Sequence, residues 1–180
     1  MKHFGIALAL VCSAASAAQA DWEYTKWGMT PAQVAGAAKN TKKSTDLHPD
    51  SDGNVTRLVA PYKNGKFLFE AQFGFDAADK LSSVTLVLND AGAVSADMDT
   101  GADTTMPGMD MPGMNHGVCH DLGVSVKAQY GKRQGGGAAH MQYSIETWQD
   151  QKNKNNVKYT VLSQAGCYVQ YSVIKPAGAH

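Results

Sequence analysis

The chain has 180 residues, 16 of them basic and 16 acidic, and 43% of it is apolar. That is enough for one domain with a real core, and the even charge argues against nucleic acid or an anionic membrane as partner. No Gly-x-Ser-x-Gly elbow, His-Glu-x-x-His helix, phosphate loop or Cys-x-x-Cys pair is present, so no catalytic residue is named and no enzyme is expected.

Met1 to Ala20 has the parts of a secretory signal peptide. Lys2 and His3 form its basic end, Phe4 to Val11 its apolar run, and Ala18-Gln19-Ala20 its cleavage site. The apolar run is too short to span a bilayer. Val11 is a poor fit to the small residue wanted before a lipidated cysteine at Cys12. The reading is a signal peptide over 1–20 and a soluble periplasmic or secreted protein over 21–180, with a net charge near −1 once Lys2 is removed. Cleavage removes Cys12 and leaves Cys119 and Cys167. In an exported protein such a pair is expected as a disulfide, which by chain entropy would stabilise the fold by about 4 kcal/mol. The alternative is that Cys119, close to His116 and His120, serves as a thiolate metal ligand.

Trp22, Tyr24 and Trp27 form an aromatic lead-in expected to dock on the core. Thr30-Pro31-Ala32-Gln33 is a helix start, with a capping threonine, proline at the first helical position and glutamine completing a capping box. The helix is predicted to about Ala38, with an extension towards Lys43 open. Asp50 to Asn54 reads as a turn: its glycine falls one place too early for a calcium loop and the final glutamate is missing. Asn54-Val55-Thr56 is formally a glycosylation sequon. The lysines at 39, 42 and 43 and the pair Lys132-Arg133 read as solvated surface.

Strands follow. Val55 to Tyr62 leads through Asn64-Gly65, a hairpin signal, into Lys66 to Phe75. There Phe67, Phe69, Ala71, Phe73 and Phe75 share one face, while Leu68, Glu70, Gln72 and Gly74 share the other. Leu81 to Leu88 is a third strand, with Val84, Leu86 and Leu88 in phase. Val118, Leu122, Val126 and Tyr130 then recur every fourth residue, a second helix ended by Gly131. Gly135 to Gly137 reads as a connector, and three more strands are predicted near His140 to Trp148, Val157 to Leu162 and Cys167 to Ile174. The predicted fold is α+β: tandem helix-plus-three-strand halves sharing one antiparallel sheet, with both helices on one face.

Between the halves, at about 89–117, the pattern breaks into a mobile Met-rich loop. It carries Met106-Pro-Gly-Met109-Asp-Met111-Pro-Gly-Met114-Asn-His116. Proline then glycine suits the centre of a type II turn, which brings its first and fourth residues within about 7 Å. Each tetrad can therefore aim two thioethers at one point, and soft sulfur selects Cu(I). The predicted ligands are Met106, Met109, Met111, Met114, His116 and His120, with Met98 a weaker candidate and Ag(I) a second soft cation. His116 with His120 suits Cu(II) instead. Competing readings are a flexible linker and a sacrificial oxidation target. His48, His140 and His180 are isolated and read as surface or structural.

Trp27-Gly28-Met29-Thr30-Pro31-Ala32-Gln33-Val34, Tyr130-Gly131 and Cys167-Tyr168-Val169 resemble small exported helix-plus-sheet proteins. That group includes the β-lactamase-inhibitor-protein-like fold and the related outer-membrane assembly lipoproteins. The resemblance covers most of 21–180 as a pattern. Its inhibitor members bind partners on an exposed sheet face, but no inhibitory residue carries over and the lipoproteins' acylated cysteine has no match. Met98 to His120 resembles the Met-rich segments of periplasmic copper-resistance proteins, which implies copper as cargo and a periplasmic copper protein as partner. The alternative function is a protein-binding or assembly module on the open sheet face, with Glu70, Gln72, Gln142, Ser144, Trp148, Tyr168 and Gln170 as its surface.

Overall fold

A computed structural model describes residues 21–89, 116–136, 143–162 and 166–174. The predicted signal peptide, Met98, the four ligand methionines, His140, Gln142 and His180 lie outside the described residues. Within them the protein is mixed helix and sheet, as expected, and no helix is long and apolar enough to cross a membrane.

The lead-in makes a small hairpin of β1 (Asp21–Trp22) and β2 (Thr25–Lys26). Trp22 and Trp27 are buried, while Tyr24 stays 40% exposed. Trp22 packs within 5.1 Å of Tyr62, 6.0 Å of Phe73 and 6.2 Å of Tyr171, measured between ring centres. The chain then crosses the start of β6 (Leu81–Leu88), where the Gly28 N–H donates to the Leu81 carbonyl and the Leu81 N–H to that of Met29. Helix α1 (Pro31–Ala37) begins with the expected capping box at Thr30 and Gln33. It stops at Ala38, and the residues predicted as an extension form instead the short strand β3 (Lys42–Lys43).

Among the described residues eight strands form one antiparallel sheet in the order β3-β4-β5-β6-β10-β9-β8-β7. The first meander is β4 (Val55–Asn64), β5 (Phe67–Phe75) and β6; α2 (His116–Tyr130) follows; β8 (Tyr143–Asp150), β9 (Asn155–Leu162) and β10 (Gly166–Val173) form the second. The meanders join through their last strands, with Val169 opposite Leu86 and Tyr171 opposite Val84. The β4–β5 turn falls one residue later than predicted: Asn64 already pairs with Phe67, leaving Gly65 and Lys66 as the loop. Gly65 sits at φ +59°, which glycine adopts without strain. The predicted connector at Gly135 is also a strand, β7 (Gly135–Gly136), held by Glu146 and Thr147 of β8.

Alternation along β5 is as predicted, with Phe67, Phe69, Ala71, Phe73 and Phe75 all buried. Burying each phenylalanine contributes about 1.5–3 kcal/mol, so this strand is a main source of the fold's stability. Both helices lie against this apolar face, α1 through Val34 and α2 through Cys119, Leu122 and Val126. The opposite face is partly covered by the 50–54 turn. There the Asp50 carboxylate accepts from the N–H groups of Asp52 and Asn54, both at 2.9 Å. Asn54, the first residue of the formal sequon, is 8% exposed in the folded protein and its side chain bonds Asp50 and Ser82.

Candidate functional site

The helix that receives the methionine segment is attached to the body by several independent contacts. Leu122 and Val126 anchor it by burial. Gly123 lies flat on the Tyr159 ring, where an added β-carbon would stand 3.0 Å from Cε1. The Tyr159 hydroxyl donates to the Cys119 carbonyl, and desolvation pushes that phenol up to about 12. At the helix's outer side the Lys66 ammonium meets the Asp121 carboxylate at 2.5 Å, and this hydrogen bond holds the carboxyl below its ordinary range. Cys119 and Cys167 stand at disulfide distance, with Cα atoms 5.8 Å apart, as the sequence led us to expect. Joined in that way Cys119 is no thiolate, so the competing reading of it as a metal ligand does not hold for this state.

Positions 116 and 120 are one turn apart on α2, and His120 is exposed. His120 borders a cavity of about 400 Å³ between α2 and strands β8 and β9, together with Cys119, Lys127, Ser144, Glu146 and Tyr159. Glu146 reaches in from β8. One carboxylate oxygen faces Lys127 at 3.1 Å and Arg133 at 3.9 Å; the other is buried without a hydrogen-bond partner. Among the described residues no group of three or more His, Cys, Asp or Glu side chains is placed to hold a metal ion.

The predicted partner surface separates in the structure. Tyr168 and Gln170 are opposite Val87 and Thr85, which are in turn opposite Glu70 and Gln72, so these four residues share the face away from the helices. Trp148 and Ser144 do not join them. They are opposite Val157 and Val161, on the helix side. Trp148 is 2% exposed and its indole N–H donates to the Gly131 carbonyl at 3.0 Å. The tryptophan is a core residue at the end of α2 and does not belong to the candidate partner surface. A groove of about 460 Å³ does open on the outer face, between Asp52 of the covering turn and Thr147, Lys158, Gln170 and Ser172 of the sheet. Its floor is fixed by Gln170, which donates to the Asp50 carboxylate at 3.3 Å. Sequence reasoning found Gln170 but missed Lys158 and Thr147, whose alternation with Val157, Tyr159 and Trp148 was the available signal.

Comparison with protein-family models, with curated proteins and with solved structures returns no match.

Proposed function

We propose that the chain is an exported copper-binding protein that sequesters or carries Cu(I), and takes Ag(I) likewise, through Met106, Met109, Met111 and Met114. The observation that carries this reading is the pair of Met-Pro-Gly-Met tetrads that lead directly into His116. Core methionines recur at helix or strand spacing, whereas the Pro-Gly pairs forbid both, so these thioethers are free for a soft cation. The secure attachment of α2 supports a division of labour: a stable helix-plus-sheet carrier and a ligand-bearing segment ordered by its metal. His116 is the nitrogen donor, with His120 one turn on. The tandem organisation of two helix-plus-meander halves supplies the carrier, and the cysteine pair agrees with a periplasmic or secreted location.

The test is an anaerobic Cu(I) titration of the 21–180 chain against a competing chelator. Thioethers do not titrate, so a methionine site keeps its copper in acid, whereas a histidine-dependent one weakens as imidazole protonates. Replacing Met106, Met109, Met111 and Met114 by leucine should abolish acid-stable binding. Unchanged affinity in that variant would exclude the reading. A second reading, a protein-binding module on the outer sheet face, is favoured by the groove over Gln170. Glu70, Gln72 and Tyr168 extend that face, and Trp148 is no part of it.

A further inference from the structure

We propose that reducing the Cys119–Cys167 pair creates a second Cu(I) site, formed by the two thiolates alone. The inference rests on the reading that the protein handles Cu(I), but it uses none of the methionines. Its basis is that α2 stays docked without the disulfide. Leu122 and Val126 are buried, Gly123 rests on Tyr159, the Tyr159 hydroxyl holds the Cys119 carbonyl, and Lys66 pairs with Asp121. Cys167 sits on β10, opposite Val161 of β9, and from the next residue, Tyr168, the strand is also paired with β6. Breaking the sulfur–sulfur bond therefore leaves two thiols facing each other on a fixed helix and a fixed central strand, with Cα atoms 5.8 Å apart. Such a pre-organised pair of soft donors binds Cu(I) with little ordering cost. The cavity of about 400 Å³ that Cys119 borders gives the ion a way in.

The reductant is a dithiol, of the kind carried by thiol–disulfide oxidoreductases. One of its thiolates attacks a sulfur of the pair and forms a mixed disulfide; its second thiolate then releases the protein. The protein gains two electrons and two protons, and the dithiol leaves as its own disulfide. Cu(I) displaces the two protons and does not change oxidation state.

The test uses the chain carrying Met106→Leu, Met109→Leu, Met111→Leu and Met114→Leu, so that the methionine segment contributes nothing. Oxidised and dithiothreitol-reduced samples, freed of reductant under argon, are titrated with Cu(I) against bicinchoninate. The reduced sample should take up one equivalent more than the oxidised one and show a sulfur-to-copper charge-transfer band. Cys119→Ala with Cys167→Ala should lose that equivalent. Equal uptake in both redox states, or an extra equivalent that survives in the alanine pair, overturns the proposal. So does loss of the near-ultraviolet circular dichroism on reduction, because the thiols would no longer be held together. The oxidised chain with its methionines intact, run in parallel, reads the methionine site by itself, so the two failures are distinguishable.

Discussion

Gly74 sits where β5 passes beneath the 50–54 turn, and a β-carbon there would stand 2.2 Å from the Ser83 hydroxyl and 3.4 Å from the Asn54 β-carbon. Ser83 is 2% exposed and has little space to swing into. Gly74→Ala should therefore destabilise the protein by about 1–3 kcal/mol, the usual cost of overpacking, read as a lower urea midpoint. Adding Ser83→Ala should recover most of that loss; no recovery would mean that the strain lies in the backbone. The glycine was legible only as a member of the polar phase, because its neighbour in the adjacent strand cannot be read from composition. Trp148 teaches the same lesson in reverse. Tyr143, Ile145 and Thr147 look like the buried phase of β8, yet Ser144, Glu146 and Trp148 face the helices. Alternation misleads there because Lys127 and Arg133 neutralise Glu146 on the covered side, making a charged residue tolerable where an apolar one was expected.

At the scale of elements, α1 shows how a very short helix is kept. Seven residues are far too few for independent stability in water, and Val34 is its one fully buried residue. The helix depends on its entry, where the Thr30 hydroxyl accepts from the Gln33 N–H at 3.4 Å and the Gln33 side chain accepts from the Thr30 N–H at 2.9 Å. Thr30→Ala should cost about 1 kcal/mol in equilibrium unfolding, and Thr30→Ser should restore it. Equal stability of all three proteins would show that Val34 alone holds the segment. The start of α1 at its capping box and the end of α2 at Gly131 were legible, since proline, glycine and capping residues act through local backbone geometry; the end of α1 and the start of α2 were not. The edge strands β3 and β7 were not. Two residues carry no periodicity, and they become strands only because β4 and β8 offer them partners.

Across the whole molecule, five tyrosines from separate parts of the fold behave alike. Burial raises Tyr24, Tyr62, Tyr130 and Tyr171 above the ordinary phenol range, and Tyr159 to about 12. For Tyr62 the Glu23 carboxylate, which accepts its hydroxyl at 2.7 Å, adds to the effect. A phenol whose pKa is higher folded than unfolded favours the folded state fully below about pH 10, where both forms are protonated. Above that the unfolded chain loses its protons first, so stability falls as pH climbs towards 12. Urea midpoints should accordingly drop steeply over that window, with tyrosinate absorbance rising together with unfolding. Tyrosinate that forms well before the fold is lost would contradict it. The α+β class, the order of elements and the cysteine pairing were legible because hydrophobic period and compartment chemistry report them directly. The reading of the methionine segment rests on the sequence alone, because Met106, Met109, Met111 and Met114 lie outside the described residues.

The junction of β6 with β10 has a consequence for how the protein is made. The middle of the sheet joins residues 81–88 to residues 166–173, so the last of the described strands is inserted at the centre rather than added at a rim. Until it arrives, β6 and β9 each present an unpaired strand edge. Completion of the sheet and approach of Cys167 to Cys119 are then a single event, since β10 carries that cysteine. Oxidation of the pair would seal the final step of assembly, and a chain stopped short of Gly166 would lack both the strand and the bond.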